Sequence, residues 1–99
     1  KTVNGPVQNA IQKVALLKPS TGRMNGAEQD IDFFVAHELQ EVVPSAVVGE
    51  KDDEKMQGVD YSLIVPVLVK AVQELSSQNQ EQNQLIQELR TDIELLKNK

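Results

Sequence analysis

The 99-residue chain has no cysteine and no tryptophan, and Phe33, Phe34 and Tyr61 are its whole aromatic complement. Without thiols there is neither a disulfide framework nor a thiolate metal site, and the single His37 cannot form a histidine cluster. No basic tract occurs and the net charge is −5. Neutralising phosphates is the main sequence-independent source of nucleic-acid affinity, so a direct nucleic-acid partner is not expected, and an anionic membrane surface is disfavoured for the same reason. The longest nearly unbroken apolar run, residues 63–69, is interrupted by Pro66 and falls far short of the ~20 residues a membrane span needs. No Gly-rich phosphate loop is present, so no cofactor is expected.

What remains is 39% hydrophobic and 25% charged, the balance of one small domain. A chain this short buries only about 60% of its unfolded surface, which makes a compact monomer marginal and oligomerisation an obvious remedy. The first residue is Lys rather than Met and nothing near it resembles a signal peptide, so a processed or excised piece of a longer chain is expected.

Apolar residues at 7, 10, 11, 14 and 17 predict a short amphipathic helix with Pro6 in its first turn, ended by Lys18-Pro19. Residues 21–24, the Asn25-Gly26 turn signal and Ile31-Asp32-Phe33-Phe34-Val35 predict a hairpin. One or two helical turns are expected over 36–43, with Pro44 as terminator. A second hairpin is expected from Ala46-Val47-Val48, the charged loop 49–55 and a return strand over 56–61.

From Ser62 onward the pattern is helical and Gly-free, and Pro66 lies where its missing N–H costs least. Leu68, Val72, Leu75, Asn79, Gln82, Ile86, Leu89, Ile93 and Leu96 follow alternating steps of four and three, a heptad with 72, 79, 86 and 93 at a. Val72 and Leu75 stay in phase with Ile86 and Leu89 across the Gln/Asn-rich run 76–84, which favours one continuous helix over two helices joined by a solvated linker. Asn79 and Gln82 put polar layers in the middle of that seam, weakening it while fixing register. Ile at a with Leu at d is a parallel-dimer preference, whereas Leu85 at g widens the apolar face as three or more helices require. Asp92 at g and Lys97 at e can pair between parallel neighbours. The expected architecture is α+β and mainly helical: a small region with hairpin arms over 1–61, then a trimerisation helix over 62–99 in a parallel coiled coil.

For chemistry, Asp52-Asp53-Glu54 and the Asp30, Asp32 pair read as solvated carboxylates, since no EF-hand pattern surrounds them. His37 and Glu38 are helix neighbours that do not face one another, so His37 reads as structural. A serine activated by a desolvated lysine is chemically possible, but composition alone selects no pair.

Three stretches in combination, Phe33-Phe34-Val35-Ala36-His37-Glu38-Leu39-Gln40-Glu41-Val42-Val43-Pro44, Gly58-Val59-Asp60-Tyr61-Ser62 and Leu63-Ile64-Val65-Pro66-Val67-Leu68-Val69-Lys70-Ala71-Val72-Gln73-Glu74-Leu75, resemble the C-terminal intramolecular chaperone domain of bacteriophage tail spikes and tail fibres, the endosialidase-type self-cleaving domain. The likeness covers nearly the whole chain. It implies a homotrimer that guides folding of an upstream β-rich fibre in the host cytoplasm and is then released by autoproteolysis, leaving the parent in the virion tail without it. In that family cleavage precedes a serine in a Ser-Asp-x-x-x-Lys stretch. The chain here opens Lys1-Thr2, matching the end of the stretch, so the resemblance makes Lys1 the candidate general base; the serine itself is not in this sequence. The loops around Asn25 and Asp52 become candidate arms on the fibre, and Asp60 or Ser62 a candidate cap for the long helix. The alternative is a coiled-coil oligomerisation module with no chemistry, retained by its parent protein.

Overall fold

The structure, a computed structural model, describes residues 1–52 and 56–99. Its elements run α1 (Ala10–Leu16), β1 (Pro19–Gly22), β2 (Ile31–Phe34), α2 (Ala36–Gln40), β3 (Val47–Val48), β4 (Gly58–Val59) and α3 (Val65–Lys97). A short 3-10 turn, Pro44–Ala46, precedes β3 and another, Tyr61–Leu63, precedes α3. This is a small α+β chain: a short helix, two antiparallel two-stranded hairpins and a long C-terminal helix.

α1 starts at Ala10 rather than in the turn that follows Pro6. The cause is Asn9, whose left-handed backbone (φ 57) turns the chain just ahead of the helix, a conformation that Asn tolerates better than most residues. Val7 nevertheless packs from outside the helix onto the same apolar cluster as Ile11 and Val14. Leu17 is already extended, one residue ahead of the position that Pro19 restricts.

The first hairpin pairs β1 with β2 from Pro19↔Phe34 to Gly22↔Ile31, two residues earlier in the chain than the pattern over 21–24 predicts. Proline is acceptable as the first residue of an edge strand, so Pro19 both stops α1 and opens β1. Asn25-Gly26 is not a two-residue hairpin link. It is the centre of a turn in which Ala27 N donates to Met24 O at 2.9 Å with Gly26 at φ 83, inside a longer connection closed at its base by Arg23 Nε donating to Asp30 Oδ1 at 3.0 Å.

The second hairpin pairs Val47 with Val59 and Val48 with Gly58. The strand expected over 56–61 is thus reduced to two residues, because Asp60 and Tyr61 already turn toward α3, and Ala46 belongs to the 3-10 turn rather than to β3. Its described loop residues include Gly49 at φ 92 and Asp52 at φ 67; Asp53, Glu54 and Lys55 lie outside the described residues.

Two small cores hold the chain together. Leu39, Val43, Ala46, Val47 and Ile64 form the first, with Leu17, Phe34, Ala36, Val42 and Val59 packed around it. Ala10, Val67 and Ala71 form the second, where two alanines let α1 approach α3 closely. Both lie at the N-terminal end of α3. The helix has 33 residues, about 50 Å at ~1.5 Å each, and the molecule measures 74 × 41 × 19 Å. Its radius of gyration of 20.8 Å far exceeds the roughly 13 Å of a compact 99-residue domain, because most of α3 extends beyond anything that packs on it.

Candidate functional site: the seam of α3 and the chain start

The lead-in to α3 is built from polar capping and one aromatic pair. Asp60 Oδ1 accepts from Ser62 N at 3.1 Å and from Ser62 Oγ at 2.6 Å, so of the two candidate caps Asp60 accepts and Ser62 donates. The cap serves the 3-10 turn rather than α3 directly. Tyr61 points back to the first hairpin: its hydroxyl accepts from Phe34 N at 3.2 Å and its ring lies 6.1 Å from that of Phe34. Ile64, 1% exposed, then pins the start of the helix in the first core. Direction and origin of α3 are therefore set by residues of both hairpins.

Along α3 the helix runs unbroken through the Gln/Asn-rich run 76–84. Every expected seam position is solvent-exposed in the single chain, with the apolar members from 39% (Leu68) to 66% (Val72 and Leu96). Asn79 and Gln82 are exposed as well. Leu85, 57% exposed, lies beside Ile86 and Leu89, and Val65 and Val69 add to the strip near its start. An apolar strip this long on one helix is a large unfilled contact surface of the kind that marks an interaction site. The sequence pattern did not single out Val67 and Ala71, which α1 covers, nor Val69, which stays open. The small residues Ala10 and Ala71 were the available signal.

Lys1 lies in the exposed segment that precedes α1, and no hydrogen bond or ion pair ties it down among the described residues. The other polar candidates have structural partners. Asp30 is engaged by Arg23 rather than by Asp32, and Glu38 lies 3.8 Å from Lys18. His37 is half-buried on α2. Gln57 Nε2 donates to Gln40 Oε1 at 2.9 Å and to Gly49 O at 3.1 Å, and Gln40 Nε2 reaches the same carbonyl at 3.1 Å, a clasp at the base of the second hairpin's loop that the sequence does not advertise. Among the described residues no group of three or more His, Cys, Asp or Glu is placed to hold a metal ion, and no helix is long and apolar enough to cross a membrane. Comparison with protein-family models, with curated proteins and with solved structures returns no match.

Proposed function

We propose that this chain is a trimerising intramolecular chaperone: three copies of α3 wind into a parallel coiled coil, hold the upstream segments of three precursors in register while a β-rich tail fibre or spike folds, and are then released by self-cleavage. The observation that carries the reading is the exposed apolar strip of α3, in heptad phase on both sides of a polar middle. Leu85 at g broadens that strip toward three helices rather than two. The resemblance of residues 33–44, 58–62 and 63–75 to the phage domain supports the chaperone role, and with it assembly in the host cytoplasm and absence of the domain from the mature virion tail.

For the chemistry, a serine preceding Lys1 in the precursor is the nucleophile and Lys1 the base. The serine hydroxyl adds to the carbonyl carbon of the peptide bond before it while the lysine amine takes the hydroxyl proton; the C–N bond then breaks, the lysine passes that proton to the departing serine nitrogen, and water hydrolyses the resulting ester to a carboxylate and the restored hydroxyl. Assembly supplies the proximity and desolvation that such a step needs. The test is a precursor carrying the native upstream segment, followed on a denaturing gel. A break just before the serine, abolished by replacing that serine with Ala and by Lys1→Ala, is the expected result. A precursor that stays intact under conditions where it forms trimers leaves the second reading, a permanent oligomerisation module, which the same apolar strip supports without any chemistry.

The polar layers give a further expectation. With Asn79→Ile and Gln82→Leu together, the seam becomes apolar throughout and thermal denaturation should shift upward by roughly 5–10 °C. The same variant should populate more than one register or strand number, measured by sedimentation. An unchanged melting temperature would contradict a place for these two side chains in the core.

A further inference from the structure

α1 runs antiparallel to α3. Ala10 near its start is buried with Val67 and Ala71, while Leu17, just past its end, packs on the cluster that contains Ile64. In the heptad that puts Val72 at a, positions 64 and 71 are g and 67 is c, so α1 covers one flank of the seam. Val69 is at e, on the opposite flank, and is 48% exposed. Leu16, the last residue of α1, is 64% exposed, and Ile11 and Val14 are only half-covered. Apolar surface therefore remains open both on α1 and on the flank of α3 that α1 does not cover.

In a parallel, in-register bundle each g flank faces the e flank of a neighbour five residues further on. Ile64 and Ala71 are already covered within their own chain, 1% and 3% exposed, so α1 stands between them and the neighbour's Val69 and Ser76; further along, Gln78 faces Asn83, Leu85 lies along the aliphatic stem of Arg90, and Asp92 meets Lys97. Every one of these pairs is compatible in size or charge. An antiparallel pair also stacks each a on a d, Asn79 on Gln82 included, but it drives Asp92 onto the Ala71 flank that α1 occupies and takes it away from Lys97. Charge and size complementarity thus select a second, parallel copy as what covers the open flank.

We infer that α1 is a shared element, packed on α3 of its own chain and, by its remaining apolar surface, on Val69 of the neighbouring copy, so that each α1 is wedged between two long helices. This rests on the parallel trimer proposed above. A seven-residue helix is too short to be stable alone, so the second contact couples the docking of α1 to assembly.

The absence of cysteine makes the test direct. Chains carrying Val69→Cys are unfolded and refolded together with chains carrying a single cysteine at Ile11, Ala15 or Leu16, oxidised, and run on a non-reducing gel. At least one mixture should give a product at twice 11.0 kDa that neither chain yields alone, and Val69→Asp should raise the concentration needed for assembly about ten-fold or more. Val69→Gln, a milder change at the same half-exposed site, should fold and shift assembly in the same direction. Trimers that form normally with both Val69 variants and give no mixed cross-link at any of the three α1 positions overturn this inference alone. A chain that stays monomeric at micromolar concentration overturns both it and the trimer.

Discussion

Replacing Ile86 and Leu89 together by lysine should leave a monomer at concentrations where the native chain is fully assembled. These side chains are 48% and 59% exposed in the single chain, so a seam that covers them adds about half of the ~1.5–3 kcal/mol available to a fully buried side chain of this size. At ~1 kcal/mol for each of two positions in three copies, the apolar loss alone is ~6 kcal/mol per trimer, about four decades in the assembly constant, before the cost of desolvating the introduced ammonium groups. Neither residue belongs to the two small cores, so the hairpins should survive. Circular dichroism should accordingly show loss of helix from the C-terminal half of α3 with the remainder retained. Retention of the native mass by the double variant would place the interface elsewhere.

The second large effect concerns the seat of the helix rather than its seam. Leu39 and Ile64 are the two largest fully buried side chains, each 1% exposed, and they join α2 to the start of α3. Leu39→Ala should cost ~2–5 kcal/mol, the transfer term plus a cavity that a core of five buried residues is poorly able to close. A small domain holds only about 5 kcal/mol or somewhat more in reserve, so this variant should lose a large part of its stability and unfold at a much lower urea concentration. Urea denaturation measures it, and the assembly constant should fall as well, because Ile64 lies in the same cluster and loses its packing partner. A midpoint within experimental error of the native value would mean that this cluster does not organise the fold.

The parts of this architecture that were legible from sequence share a physical property: their signal is local. α3 announces itself through a heptad phase kept from Leu68 to Leu96 with no glycine, and Pro66 is tolerated because it lies in the first turn. α2 is marked by Leu39 ahead of Pro44, and the second hairpin by two valine-containing segments around a charged loop. The misplacements arise where a residue serves two purposes or where a distant partner decides. Pro19 reads as a helix stop, yet it also pairs with Phe34, a residue fifteen positions away. Asn25-Gly26 reads as a tight hairpin turn, but the Arg23 to Asp30 ion pair closes a longer connection around it. Asn9 moves the start of α1 through a positive φ that helical periodicity does not register.

At the candidate sites the same distinction holds. The candidate seam rests on phase alone, and the structure shows its apolar members exposed on α3, whereas the covering of Val67 and Ala71 by α1 depends on two alanines more than sixty positions apart in part of the chain that shares no repeat. Lys1 is different again: its assignment comes from the resemblance alone, and no hydrogen bond or ion pair engages it among the described residues.

Sedimentation equilibrium of the isolated chain over micromolar concentrations tests the central claim, that α3 is a trimer clamp, most directly. A single species of three times 11.0 kDa that dissociates on dilution is the predicted result. A mass of 11.0 kDa throughout that range would contradict it, since an apolar strip that finds no partner there is not an assembly seam.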